Sequence, residues 1–276
     1  MSRPPGAVGL TYPEYAALPG VNWSTLKDMH RSALAYRHRT ETPRDDTSRM
    51  AFGRAVHTAV LEPDRFPLEY VVFDGPRRAG KAWEEFAEVN AGRTILRADE
   101  YRTALAVRDA VRADKDARRL LRRGRAEVTL RWVDPQTRLR CKARLDWLAG
   151  TTLVDVKTTA DIDARVFGRL ADRMLYHGQL GFYRSGLDVL GLGDGPLCII
   201  AVEAEPPHDV CVYRLPADAV DAGMDLAHGL LARVRDCRKR RRWPGRYQGE
   251  QELVLPSVLY ATDDDELELV GLKEKA

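Results

Sequence analysis

Cysteine is scarce: four in 276 residues, Cys141, Cys198, Cys211 and Cys237, with no C-x-x-C pair among them. That spacing argues against a zinc ribbon and a disulfide framework, and fits free thiols in a reducing compartment. Long apolar runs are missing as well. No stretch approaches the roughly 20 apolar residues that a membrane helix needs. The opening Met-Ser-Arg-Pro-Pro-Gly has no signal-peptide core. The expectation is a soluble, cytoplasmic protein with no membrane partner. Charge of one sign is also lacking overall, with 44 Lys and Arg against 41 Asp and Glu, a net +3. The chain as a whole is no polycation, and it carries no internal repeat or low-complexity tract.

What is present is an uneven distribution. Arg118, Arg119, Arg122, Arg123 and Arg125 form one basic run, and Arg238, Lys239, Arg240, Arg241 and Arg242 another. The segment after Ala261 is acidic. Such patches fit a polyanion touching one face, although each run alone reads equally well as a solvated helix face. Apolar residues make up 44%, enough for a sizeable core. The organisation expected is an extended N-terminal arm (1–20), a single domain (21–260) and an acidic C-terminal tail (261–276).

The periodicity places a helix from Asn22 or Ser24 through Leu34, and a second from about Met50 to Leu61, stopped by Glu62-Pro63-Asp64. A short strand is expected at 69–74, a basic loop at Gly75–Gly80, and helices at 81–91 and 99–122. From Glu127 onward the pattern changes to strict alternation. Val128, Leu130 and Trp132 share one side, a turn follows at Asp134–Thr137, and alternation resumes over Leu139–Leu148 and Leu153–Val156. This predicts an antiparallel meander. A long helix over 164–189, strands at 197–204 and 209–215 and a helix over 217–242 complete an α/β (α+β) fold, a central mixed sheet flanked by helices.

Three acids, Glu127, Asp146 and Asp155, sit on or beside the meander, with Lys157 two residues after Asp155. Residues i and i+2 of a strand project from one face, so Asp155 and Lys157 point together while Val154 and Val156 enter the core. On the tripeptide alone, an ordinary surface ion pair is the better reading. The conjunction of three acids and a lysine at the edges of three successive strands says more. Carboxylates brought together repel unless a hard cation sits between them, and Mg²⁺ suits such oxygen donors. Near a phosphate it neutralises charge and acidifies a bound water, and a lysine alongside orients that water. His57 lies on the second helix. A lone helical histidine is more often structural, but imidazole can complete a metal site. Gln179 and Tyr183, four apart, share a helix face; this also fits ordinary amphipathic packing.

Asp146 followed by Asp155-Val156-Lys157 resembles the PD-(D/E)xK nuclease signature. The surrounding text resembles one branch of it, the RecE-type exonucleases of phages and prophages. The similarity is carried in order by Asn22–Lys27 with Arg31-Ser32, Gly53–His57 with Leu61-Glu62-Pro63, Arg77–Lys81 with Trp83, Glu127, Cys141–Asp146, Val154–Thr159 and Tyr176–Tyr183. The resemblance implies a PD-(D/E)xK core in which His57, Asp146, Asp155 and the Val156 carbonyl hold metal. Glu127 would hold a second metal or act on the water shell of the first. Lys157 would position the nucleophile, and Gln179 and Tyr183 would contact DNA or support the site. It implies Mg²⁺, with Mn²⁺ substituting, and 5′ to 3′ digestion of linear duplex DNA to leave a 3′ single strand. A homo-oligomeric ring, a single-strand annealing partner and a bacterial host cytoplasm complete the expectation. Two departures stand out. The chain is read as lacking the long N-terminal extension of some relatives. Its cysteines do not follow the pattern that holds an iron–sulfur cluster in helicase-associated nucleases, so no cluster is expected. Arg77, Arg78 and Lys81 are expected to grip phosphates, and Arg240 and Arg241 to track a strand beside Trp243. An endonuclease of the same fold and a non-catalytic DNA-binding recombination scaffold are the competing readings.

Overall fold

The computed structural model describes residues 6–7, 10–42, 47–75 and 77–253; the acidic tail lies outside them. In chain order the elements are β1 (Gly6–Ala7), α1 (Tyr12–Ala17), α2 (Trp23–Leu26), α3 (Asp28–Arg31), α4 (Ala33–Glu41), α5 (Ser48–Leu61), α6 (Phe66–Glu69) and β2 (Tyr70–Val72). Next come α7 (Lys81–Val89), β3 (Thr94–Leu96), α8 (Ala98–Ala113), α9 (Lys115–Leu121), β4 (Arg125–Val133), β5 (Arg140–Ala149) and β6 (Thr152–Thr159). The chain continues through α10 (Ala164–Arg173), α11 (Tyr176–Val189), β7 (Leu197–Glu203), β8 (Val210–Arg214) and α12 (Ala217–Arg240).

The main sheet runs β1-β4-β5-β6-β7-β8. The expected meander is there: β4, β5 and β6 are antiparallel neighbours. The chain then crosses over through α10 and α11, so that β7 returns parallel to β6. Alternation sorts side chains between two cores. On β6 and β7, Leu153, Ile199 and Ala201 face α2–α4, α11 and α12, while Val154, Val156, Ile200 and Val202 face α5, α8 and α9. Both faces are covered, so these strands read as near-continuous apolar runs. Among the described residues no helix is long and apolar enough to cross a membrane.

Several boundaries differ from the sequence expectation. The first long helix divides at Lys27 and Ser32, whose hydroxyl accepts from Ala35 N and caps α4. The 99–122 helix breaks at Asp114, which caps α9. The 164–189 helix breaks at Leu175, held in the left-handed region at φ 57°. The N-terminal arm is not simply extended. Gly6–Ala7 pairs with β4, and Thr11 and Glu14 form a capping box that starts α1. Lys142 Nζ donates to the carbonyls of Tyr15, Ala16 and Leu18 at 3.0, 2.8 and 2.6 Å. One buried ammonium therefore ties the last turn of α1 to the sheet. The β3 strand, paired parallel with β2, had no expected counterpart.

The placement of α11 depends on a close crossing with α12. A Cβ at Gly181 would stand 2.3 Å from the carbonyl carbon of Gly223, where only a hydrogen fits. Gly181→Ala is expected to cost about 2–3 kcal/mol through overpacking, visible as a lowered thermal midpoint; an unchanged melt would contradict this packing.

Candidate active site

The site forms where β5 and β6 part. Their pairing is limited to Trp147↔Val154, Leu148↔Leu153 and Ala149↔Thr152. Beyond it the Asp146 carboxylate enters the gap and accepts from the Val156 N–H at 2.8 Å, replacing a ladder bond with a side chain. Glu127 on β4 lies opposite Asp146 on β5, between the pairs Ala126↔Trp147 and Val128↔Leu145. The alternation slips there. Leu145 belongs to the α11 side but Trp147 to the α5 side, and Glu127 itself adopts φ 53°. Such strain in a non-glycine residue is tolerated where the surroundings over-determine it, commonly at functional sites.

The histidine of α5 completes the group. His57 Nδ1 lies 3.4 Å from Asp146 Oδ2. One ligand atom each from His57, Glu127 and Asp146 falls within 4.8 Å of the others. One imidazole nitrogen and two carboxylate oxygens on a half-buried wall make a donor set that fits a divalent cation. Asp155 is not in this group. It is 1% exposed, and both its oxygens are engaged: Lys157 Nζ sits 2.5 Å from Oδ2, and Gln179 Nε2 donates to Oδ1 at 3.0 Å. Gln179 also donates to the Tyr183 hydroxyl at 3.1 Å, and Lys157 Nζ lies 5.0 Å from the Tyr176 ring centroid. The seven side chains anticipated from the sequence thus fall into two clusters. His57, Glu127 and Asp146 form one, and Asp155, Lys157, Gln179 and Tyr183 the other, with the Val156 backbone between. The Val156 side chain is buried on the opposite face.

Electrostatics couple the two clusters. Burial opposes charge on His57, but the Asp146 carboxylate beside it outweighs burial and lifts the imidazole to about 9. Burial likewise raises Asp146, yet His57 and Lys157 bring it below the ordinary range. Asp155 is pushed up to about 6 by burial, with Lys157 resisting and Asp146 assisting. Burial and the nearby Asp146 charge raise Glu127. Burial lowers Lys157, but its carboxylate neighbours prevail and hold it charged. Burial raises the Tyr183 hydroxyl far above its usual value, so it remains a neutral hydrogen-bonding group.

The histidine value predicts how metal binding depends on pH. Protonated His57 must release its proton to become a ligand, so metal affinity rises by up to about tenfold per pH unit and levels near the pKa. Mn²⁺ titrations of the apo protein are expected to show affinity climbing from neutral pH to about 9; a pH-independent constant would remove His57 from the donor set. In the metal-free fold the same raised pKa contributes stability that is complete below pH 6.5 and lost as pH rises through about 9.

The His57–Glu127–Asp146 cluster, with Tyr183 of the second, lines a cavity of about 630 Å³. Its wall includes Tyr12, Tyr15, Arg54, Arg65 and Arg144, none of which stood out in the sequence. Arg144 pairs with Glu127 and donates to the Leu10 carbonyl at 2.9 Å, while the Arg54 guanidinium lies over the Tyr12 ring at 5.4 Å. Arg54 precedes His57 by three residues on one helix, so the shared face was a usable signal. The arginines expected at the site stand elsewhere. Arg77, Arg78 and Lys81 do not line the cavity. Arg78 donates to the Ile95 carbonyl at 3.0 Å and lies over Trp83, and Lys81 pairs with Glu85 at 3.7 Å. Arg240 and Arg241 close α12, Arg241 with φ 51°. Cys141 and Cys198 are buried in opposite cores.

No curated protein sequence matches the chain. The fold is similar to the crystal structure of a candidate exonuclease from Eubacterium rectale, with a TM-score of 0.61 and 12% identity over 92% of this chain and 99% of that one. The model of a PDDEXK-like domain of unknown function (DUF3799) matches residues 22–254, which span β4–β8 of the main sheet, helices on both of its faces and every side chain of the two clusters. With most of its length matched, the chain belongs to this PDDEXK-like family.

Proposed function

We propose that the protein is a divalent-metal-dependent deoxyribonuclease of the RecE-type exonuclease branch, degrading linear duplex DNA from an end. The observation that carries the reading is the pairing of a metal-competent donor set with a half-buried, charged lysine across one residue of backbone. His57, Glu127 and Asp146 would hold the cation, with Mg²⁺ the physiological ion and Mn²⁺ a substitute. Bound there, a divalent ion neutralises phosphate charge and acidifies a water.

The chain's own residues supply the rest. Lys157, kept cationic by Asp155 and set behind the donor set, would hold a scissile phosphate oxygen or the attacking water. Gln179 fixes the Asp155 carboxylate, and Tyr183 fixes Gln179, so the lysine is presented on a locked strand and helix. In hydrolysis the water oxygen forms the new bond to phosphorus, the P–O3′ bond breaks, and the water's proton leaves to solvent or the departing alkoxide. Arg54 on the cavity wall would meet the DNA backbone, while Arg144 is held by Glu127 and positions that carboxylate.

The resemblance extends the proposal to 5′ to 3′ polarity, a homo-oligomeric ring around the duplex and delivery of the 3′ strand to a single-strand annealing protein. The test is digestion of linear duplex carrying a 5′ or a 3′ label, beside covalently closed circular DNA, with Mg²⁺ or EDTA. Metal-dependent loss of the linear substrate alone, with the 5′ label released first, is expected. Cutting of the circle would indicate an endonuclease. Binding without cutting of either would indicate a recombination scaffold.

A further inference from the structure

The site cavity does not end at its own wall. Tyr12, Tyr15, Asn22 and Ser24 also line a second depression of about 670 Å³ beside it. Its cationic side chains are Arg39, Arg138, Arg140, Lys142 and Arg238, and no carboxylate lines it. It shares Tyr36, Thr40 and Arg238 with a third depression of about 540 Å³ that reaches Arg241 and Trp243. The one acid there, Glu41, is paired with Arg37 at 2.8 Å. The three adjoin in series through these shared walls, from the carboxylate cluster to the end of α12, and together make a groove along this face.

The cations in this groove are not equivalent. Lys142 is spent on three backbone carbonyls of the N-terminal segment, and Arg39 lies 3.9 Å from Asp28. Arg138 and Arg140 are exposed, and neither side chain has a hydrogen-bond or ion-pair partner among the described residues. Arg138 projects from a turn at φ 60°, and Arg140 opens β5. Aromatic rings flank these charges: Tyr12, 49% exposed with Arg54 over its ring, at one end, and Trp243, half-buried and stacked on Tyr36, at the other, centroids 5.8 Å apart. Unpaired guanidinium groups suit phosphates, and accessible ring faces suit bases that are not paired to a complement.

We infer that this groove holds single-stranded nucleic acid, the strand that enters or leaves the carboxylate site, with phosphates on Arg138, Arg140 and Arg238 and bases against Tyr12 and Trp243. The inference rests on the nuclease reading and names the path of one strand through it. A second basic patch provides the contrast. Arg112, Arg118 and Arg122 surround Trp147 over a pocket of about 320 Å³ that shares no residue with the site cavity. Charge alone therefore does not define the track.

The experiment is fluorescence anisotropy of the full chain with labelled oligo(dT) and with a blunt hairpin duplex, in EDTA so that nothing is cut, across a range of salt. Three proteins are compared: wild type, Arg138→Asn/Arg140→Ser/Arg238→Ser, and the charge-matched Arg112→Ser/Arg118→Ser/Arg122→Ser. The groove variant is expected to lose oligo(dT) affinity by about tenfold or more and to lower the log–log salt slope by about 2, given ~0.7 per phosphate contact on a single strand. The matched variant is expected to keep the wild-type slope. Equal losses in both variants, or an equal loss on duplex and oligo(dT), would overturn the groove as a single-strand track. Wild-type failure to bind either polymer would overturn the nuclease reading with it, whereas cleavage with oligo(dT) binding unaffected in the groove variant overturns the track alone. Circular dichroism checks each fold, and the single Arg140→Glu, at an exposed strand end, repeats the test should the triple variant not fold.

Discussion

Asp146→Asn is expected to lower the cleavage rate by at least about 10³-fold while the protein stays folded, a loss at the upper end of that for removing one electrostatic contact to a transition state. The reason is that three functions converge on this carboxylate. It belongs to the donor set with His57 and Glu127, it holds His57, and it accepts from the Val156 N–H where β5 and β6 separate. Asparagine keeps an oxygen for Val156, so the local backbone survives, but it removes the negative charge. Cation affinity falls, and His57 loses the partner that lifts its pKa to about 9. Turnover of linear duplex, a Mn²⁺ titration and a thermal melt separate the effects. Lost turnover and lost metal binding with a preserved melt fit the account, and retained turnover does not.

Asp155→Ala is expected to act first on stability, costing about 3–5 kcal/mol, because removing one partner of a buried ion pair strands the other. Asp155 is 1% exposed, and the Lys157 side chain is 16% exposed. The substitution leaves the ammonium against Tyr176 with no carboxylate contact and frees the amide of Gln179. Activity lost in this variant therefore mixes chemistry with unfolding, which makes Asp146→Asn the cleaner probe of catalysis. Adding Lys157→Met to Asp155→Ala is expected to restore much of the stability and none of the activity. Denaturant unfolding of the single and double variants measures the coupling. Additive losses would mean that the pair contributes nothing as a pair.

The legible parts of this molecule are those that follow local rules. Alternation over Val128–Trp132 and Leu153–Val156 fixed the meander and the faces of its side chains, and the i, i+2 spacing correctly joined Asp155 to Lys157. The i, i+4 spacing joined Gln179 to Tyr183. The breaks at Ser32 and Asp114 and the capping box at Thr11–Glu14 carried ordinary capping signals and were readable in principle. The breaks at Leu175 and Glu127 were not. Neither residue favours the left-handed region, and tertiary packing alone holds them there. The division of the acids into two clusters was hidden for the same reason. It depends on the point at which β5 and β6 stop pairing, which periodicity does not encode. The basic loop stands away from the cavity, and the local partners of Arg78 and Lys81, Ile95, Trp83 and Glu85, are contacts that charge counting cannot see.

The proposed role of the His57–Glu127–Asp146 cluster, beside Lys157, is hydrolysis of DNA with a divalent cation. The most direct measurement is nucleotide release from linear duplex DNA by the wild-type protein and Asp146→Asn, each with Mg²⁺ and with EDTA. Release is expected from the wild type with Mg²⁺ only, and none above background from the variant under either condition. Release in EDTA, or equal release by Asp146→Asn, would contradict that role.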